Sequence, residues 1–309
     1  MTLAQNTFRD SVVAITGASG FIGAHLAARL CALGAQVHGI ARSAQRFEHR
    51  NYHAHALDLG DYAAVKTSIK AIAPNYVFHL ASHVMGAPDL QHMIPAFQAN
   101  LASSVHVLTA CAETGTGEKR VVLTGSLVEP PPGELETIPS SPYAAAKWAS
   151  SSYARMFHAL YGLPTNIARV FMVYGPAQRD ESKLVPYVMR TLLAGQVPKI
   201  TSGQRLIDWV YVADVVEGFL AIAAKPGIEG QSVDLGSGQV IATRDLVLKI
   251  SELLGGTVQP EFGALPDRPL EPFRTADVAR SYQQTGWCPN VSLEHGLRDV
   301  IAYYRSLAS

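Results

Sequence analysis

The sequence predicts an α/β fold, a doubly wound parallel sheet with a smaller, mainly C-terminal substrate-binding lobe. Three observations predict it. Apolar runs of strand length alternate with longer helical patterns from the start of the chain. A glycine triplet stands between the first strand and the first helix. Beyond residue 165 the alternation loosens.

Taken in order, SVVAITG (11–17) reads as a buried strand and FIGAHLAARLCALG (21–34) as a helix closed by Gly34. AQVHGIA (35–41) is the second strand, LGDYAAVKTSIKAI (59–72) a helix, and NYVFHLAS (75–82) a strand. IPAFQANLASSVHVLTACAETG (94–115) carries a long helix and KRVVLTGS (119–126) the next strand. This β-α-β-α order argues for parallel strands with helices on both faces. Later, NIARVFMVYGP (166–176) and SVDLGSG (232–238) look like further sheet strands. KLVPYVMRTLLAG (183–195) and VADVVEGFLAIAA (212–224) read as helices, and TVQPEFGALPDRPLEPFRT (257–275) as Pro-rich and extended. The expected division is a dinucleotide-binding domain over 1–170, with returns around 208–238, and a substrate lobe over 171–207 and 239–309.

Composition narrows the class. The 309 residues are 48% hydrophobic and 16% charged, which suits a large buried core and excludes a disordered chain. Lys plus Arg and Asp plus Glu balance at 25 each, so there is no electrostatic footprint for nucleic acid. Cys31, Cys111 and Cys288 lack ligand or CxxC spacing and are expected as reduced thiols. His53, His55, His79 and His83 do not repeat with carboxylates at ligand spacing, so no metal is expected. With no secretory signal pattern and no long apolar run, a soluble cytoplasmic protein without membrane contact is the expectation.

The stretch ITGASGFIG places Gly17, Gly20 and Gly23 where a strand turns into a helix. A dinucleotide pyrophosphate needs a tight turn there, close backbone approach, and a helix end whose N–H groups receive the anion. This is the signature of a Rossmann-type fold. The second strand of such a fold ends on an acid when the cofactor is NAD, for the ribose 2′-hydroxyl. Between Gly34 and Phe47 there is no acid, only Arg42 and Arg46. A guanidinium suits a 2′-phosphate, so NADP(H) is favoured, with NAD(H) possible. Asp58, in ALDLGD (56–61), is placed either near the adenine or at a helix N-cap.

SSPYAAAKWASSSYARMF holds Tyr143 and Lys147 four residues apart in a helical run, on one face. An ammonium beside a phenol stabilises the phenolate and is expected to pull its pKa toward working pH. Such a phenol exchanges a proton with a carbonyl or alcohol. Ser126, at the end of the strand VVLTGS, could share the substrate oxygen; Thr124 is the backup.

With these residues in view, the chain resembles an extended short-chain dehydrogenase/reductase of the NAD-dependent epimerase/dehydratase, nucleotide-sugar-modifying family. TGASGFIG, VFHLAS, Asn100 opening NLASSVHVL, YAAAK, RVFMVYGP and DWVYVADVV carry the resemblance over nearly the whole length, with the tail TADVAR…TGWCPNVSLEHGL. It implies that Ser126, Tyr143 and Lys147 are the catalytic triad, with Lys147 also holding the nicotinamide ribose. Ser19, Phe21 and Ile22 then join the glycines in the cofactor set, with Leu59 beside Asp58, and with Leu80, Ala81, Ser82, Asn100, Val170 and Val173. The substrate set is His83, Val84, Met172, Tyr174, Arg205 and Arg268, together with Ser126. It also implies homodimers through the helices near 100 and 143.

Departures from the family pattern bear on the reaction. Leu127 and Val128 follow Ser126 where dehydratases carry an Asp-Glu pair, and the Cys of 3,5-epimerising members is missing. Met172 replaces a family Asn and Ile207 a family Arg, both of which face the substrate diphosphate; Arg268 matches another diphosphate-binding arginine, and Arg205 could compensate. The expectation is an NADPH-dependent ketoreductase acting on a nucleotide-activated 6-deoxy sugar, in deoxysugar biosynthesis, with Tyr143 as proton donor. The alternatives are an NAD-dependent nucleotide-sugar epimerase, a reductase of a small ketone or aldehyde, and a redox-sensing binding module.

Overall fold

The structure, a computed structural model, describes residues 7–43, 47–114, 120–130, 133–134, 136–267 and 273–308. In chain order the elements begin β1 (Val12–Thr16), α1 (Phe21–Ala32), β2 (Gln36–Ala41), β3 (Tyr52–Ala56), α2 (Tyr62–Ile72) and β4 (Tyr76–His79). Helix then runs from Met93–Ala96 through a π-helical stretch, Phe97–Ala102, into α3 (Ser103–Glu113). β5 (Arg120–Ser126), α4 (Pro142–Tyr161), β6 (Thr165–Val170) and β7 (Met172–Tyr174) follow, then α5 (Leu184–Leu193), β8 (Lys199–Ile200) and β9 (Leu206–Tyr211). The chain continues through α6 (Val212–Ala224), β10 (Ser232–Leu235), β11 (Val240–Ala242), α7 (Thr243–Leu253) and β12 (Glu261–Phe262) to α8 (Val278–Thr285) and α9 (Leu293–Ala308).

Two compact units share the chain. The first comprises Met1–Val170, Val216–Asp234 and Ala279–Trp287. It holds a seven-stranded parallel sheet in the order β10-β6-β5-β4-β1-β2-β3. Strand order reverses at β1, since β2 pairs with one side of it and β4 with the other. Such a reversal opens a crevice at the carboxyl ends of the strands. Thr16 aligns with His79 across β1 and β4, so the turn after β1 and the loop after β4 are neighbours there. On one face Val65, Ile69, Leu108, Phe157, Leu123 and Ile167 form a continuous core between α2, α3, α4 and the sheet.

β3 was not among the expected strands. Its sequence, YHAHA, alternates without an apolar run, and its residues are only half-buried or exposed at the sheet edge. The run NIARVFMVYGP divides: β6 stays in the large sheet while β7 pairs with β9 in another. The N-cap of α2 is Asp61, whose carboxylate accepts from the Ala64 N–H at 3.0 Å; Asp58 instead closes a turn onto the Gly60 N–H.

The second unit comprises Phe171–Val215, Leu235–Val278 and Cys288–Ser309. Residues 208–215 and 235–238 therefore group here and 279–287 with the first unit, each opposite to the expected division. A three-stranded sheet, β11-β9-β7, packs with α5, α7 and α9 around Val188, Met189, Trp209, Leu246, Ile250 and Leu297. Buried Asp208 of β9 ties the unit together, accepting from the Ser237 N–H and hydroxyl, the Gly238 N–H and the Ala276 N–H at 2.6–3.0 Å. Among the described residues no helix is long and apolar enough to cross a membrane, and no metal-binding cluster occurs. Cys31 and Cys111 are buried and Cys288 half-buried, all as free thiols.

Candidate active site

The glycine turn shows why its residues are small. Gly17 sits at φ +71°, and a Cβ there would lie 2.7 Å from the Ala81 nitrogen. A Cβ on Gly23 would come within 2.2 Å of the Gly17 carbonyl oxygen. The turn therefore lets α1 approach β1 and the loop after β4 pass directly behind. The N-cap of α1 is Gly20, which has no side chain to cover the first N–H groups. An uncapped helix end beside a close-packed glycine turn fits a dinucleotide pyrophosphate. Ser19, Phe21 and Ile22 are half-buried around it.

Behind the turn, polar side chains fasten the strand ends to each other. Thr16 Oγ1 lies 2.7 Å from His79 Nδ1, and His79 Nε2 lies 3.0 Å from the Ser104 hydroxyl. Burial pushes the His79 imidazole down to about 3, so it is neutral. Asn100, fully buried in the π-helical stretch, accepts from the Ser82 hydroxyl and the His83 N–H and donates to the His83 carbonyl. Its side chain thus shapes the loop that carries Leu80, Ala81, Ser82 and His83. Val84 is exposed beyond it.

Ser126, Tyr143 and Lys147 come together at the end of β5. Ser141 caps α4 by accepting from the Ala144 N–H, and Pro142 opens the first turn with its φ already set. Tyr143 therefore lies at the helix start and Lys147 one turn on. Lys147 is 2% exposed, donates to the Thr124 carbonyl at 2.9 Å, and sits 5.9 Å from the Tyr143 ring centre. Thr124 contributes its backbone here, while its hydroxyl donates to the His79 carbonyl.

Electrostatics correct one expectation. Burial pushes the Tyr143 phenol up to about 12, with the Glu129 carboxylate adding to the rise and a hydrogen bond from the Ser126 hydroxyl opposing it. Burial brings Lys147 down to about 8, against the pull of Glu129. Desolvation dominates, so Tyr143 rests as an acid rather than a near-neutral phenolate.

Glu129 is the residue that sequence reasoning passed over. It is 2% exposed and takes the Ser126 N–H at 2.7 Å. The Ser-x-x-Glu spacing at a strand end is the signal that could have found it, since the same spacing builds a capping box. Near it, Arg169 of β6 forms a buried ion pair with Asp234 of β10 at 2.7 Å.

Among the other expected site residues, Val170 pairs with Ser126 across β6 and β5. Tyr174 is 1% exposed in the core of the second unit, its hydroxyl donating to the Leu293 carbonyl, which makes it a packing residue. Val170 and Val173 are buried, Met172 and Arg205 half-buried, and Arg42 and Asp58 exposed. The Leu59 carbonyl pairs with His106 Nδ1 at 2.8 Å. Arg46 and Arg268 lie outside the described residues.

Comparison with known proteins places the chain in a family. The sequence model of the NAD dependent epimerase/dehydratase family matches residues 13–236. A UDP-glucose 4-epimerase of Mycolicibacterium smegmatis is 32% identical, over 94% of this chain and 98% of its own. The crystal structure of Thermotoga maritima UDP-glucose 4-epimerase with UDP-glucose superposes with a TM-score of 0.86 at 26% identity, covering 96% of this chain and 99% of that one. The Thermus thermophilus UDP-glucose 4-epimerase complex with NAD does so with a TM-score of 0.81 at 27% identity, covering 95% and 98%.

Proposed function

Because this chain belongs to the NAD dependent epimerase/dehydratase family, we propose that it is a nucleotide-sugar 4-epimerase working with a retained NAD(H). The cluster of Ser126, Tyr143 and Lys147 beside the uncapped glycine turn carries this reading. It replaces the expected ketoreductase, because the relatives similar over nearly their full length are described as sugar-nucleotide epimerases and 4,6-dehydratases.

When bound, the nicotinamide supplies the hydride exchange that inverting a carbinol centre requires. The chain supplies the proton handling. Tyr143 Oη takes the proton of the sugar hydroxyl as the alcohol becomes a ketone, and returns it when the ketone is reduced from the other face. The Ser126 hydroxyl fixes the substrate oxygen beside Tyr143. Lys147, as an ammonium, stabilises the phenolate form and offers donors to the cofactor ribose. The Ser126 hydroxyl acts in the same direction on a phenol that burial otherwise holds near 12. Dehydration is poorly served: Leu127 and Val128 carry no acid, and Glu129 is spent on the Ser126 N–H.

Purified protein incubated with UDP-glucose should yield UDP-galactose with no net change in absorbance at 340 nm, and Tyr143→Phe should lower the rate by about 10²-fold or more. A second reading, NADPH-dependent reduction of a keto sugar, is favoured by β2 ending on Ala41 with exposed Arg42 next in sequence. Stoichiometric NADPH oxidation with dTDP-4-keto-6-deoxyglucose, and no epimerisation of UDP-glucose, would replace the first reading with the second.

A further inference from the structure

We propose that Glu129 is a positioning residue, whose buried carboxylate anchors the main chain of Ser126 and acts as a fixed negative charge behind Tyr143 and Lys147. The inference rests on the reading of those three residues as the catalytic group. Its ground is the way the chain makes room for a carboxylate at a costly place.

Residues 126–129 form a tight turn at the end of β5. The Glu129 N–H donates to the Ser126 carbonyl at 3.1 Å, while Glu129 Oε1 takes the Ser126 N–H at 2.7 Å. Two reciprocal bonds thus define where the Ser126 backbone lies. Gly125 is the cradle for this arrangement. A Cβ on that residue would stand 2.6 Å from Glu129 Oε1 and 2.6 Å from Ile167 Cγ2. The position therefore excludes any side chain that would displace the carboxylate.

Charged and polar groups from α4 and β6 act on Glu129. From α4 it faces Tyr143, Lys147 and Arg155, and from β6 Arg169, which is itself paired with Asp234. The Ser151 hydroxyl also approaches from α4. The residue lines a cavity of about 420 Å³ in the first unit, with Arg280 and Glu134 among its other walls. A carboxylate so enclosed is screened little by water, so its field reaches the reacting groups. Burial raises its own pKa, and the Ser126 N–H, the Ser151 hydroxyl, Arg169 and Lys147 oppose that rise. Glu129 raises the proton affinity of both Tyr143 and Lys147, and the common sign is the useful feature. It keeps the phenol an acid until cofactor and substrate are in place, and it keeps the buried amine charged.

Two variants separate charge from contact. Glu129→Gln keeps an oxygen for the Ser126 N–H and removes the charge; Glu129→Asp keeps the charge and withdraws the oxygen by one methylene. The direct readout is the titration of Lys147 in full-length protein with selectively labelled lysine, followed by NMR at Cε without any substrate. Its resonance is assigned by its loss in Lys147→Met. The Lys147 titration should fall by about one pH unit in Glu129→Gln and stay in place in Glu129→Asp. The kcat profile of the active enzyme should move to lower pH with Glu129→Gln, whereas Glu129→Asp should lose rate about tenfold at unchanged profile. An unmoved Lys147 titration in Glu129→Gln, or an equal shift in Glu129→Asp, overturns the inference. Because the titration needs no substrate, a failed epimerase assay leaves this test standing, and the reverse also holds.

Discussion

At the residue scale the site is governed by groups that have no room to change. Gly17 combines a left-handed φ with a loop backbone pressed against its missing side chain. Gly17→Ala should cost about 1–3 kcal/mol of stability and abolish dinucleotide binding, since relief of the clash must push the loop at Leu80 and Ala81 away from the turn. Calorimetric unfolding and NAD titration check both; a variant that binds NAD normally would show that the turn tolerates a methyl group. Gly17, Tyr143 and Lys147 were legible in the sequence because their meaning depends on local spacing, three residues in a turn or four along a helix. Glu129 was not, because a turn that buries a carboxylate under its own strand leaves only the weak Ser-x-x-Glu signal. Tyr174 misled for the opposite reason: nothing in the run MVY tells a packed aromatic ring from one facing a ligand.

Among the elements, those with strong periodicity were legible and those defined by pairing were not. The five strands expected before residue 127 or in 166–170, and the helices between them, follow from apolar period alone. β3 and the division between β6 and β7 depend on neighbours: the Phe171 N–H bonds the Leu235 carbonyl just where the run changes sheets. The helix over 94–115 was legible, yet its π-helical stretch, which carries the extra residue near Asn100, has no pattern of its own. That helix and α4 leave Ile94 61%, Phe97 52% and Tyr153 39% exposed. Exposed large apolar side chains mark candidate association surfaces. The expected homodimer would use these, so Phe97→Glu should convert a dimer to a monomer in light scattering coupled to gel filtration, with the thermal midpoint of the monomer lowered. A parent protein that is already monomeric at high concentration would remove the dimer from the proposal.

For the molecule as a whole, the formal net charge is zero at pH 7, so self-repulsion is small near neutrality. Buried imidazoles shape the first loss of stability below it. His79 is held down to about 3 by burial and by Lys147, and His38 to about 4 by burial and by its neighbours His55 and His53, against an ordinary value of 6.5. Above 6.5 both groups are neutral in folded and unfolded chains, and folding gains its full contribution from them. As pH falls below that value the unfolded chain takes up protons that the folded chain refuses, so stability declines, and the loss is complete only once pH drops through the folded values. His79 is the better probe, because its ring bridges Thr16 of β1 and Ser104 of α3 inside one core. Glutamine can serve both hydroxyls without titrating. The free energy of unfolding should therefore fall less steeply between pH 7 and pH 4 in His79→Gln than in the parent, although the variant starts lower at pH 7. Denaturant melts at several pH values measure both slopes. Equal slopes would mean that His79 exchanges its proton as freely in the folded chain as in the unfolded one, and that the threonine–histidine–serine bridge does not hold a neutral ring.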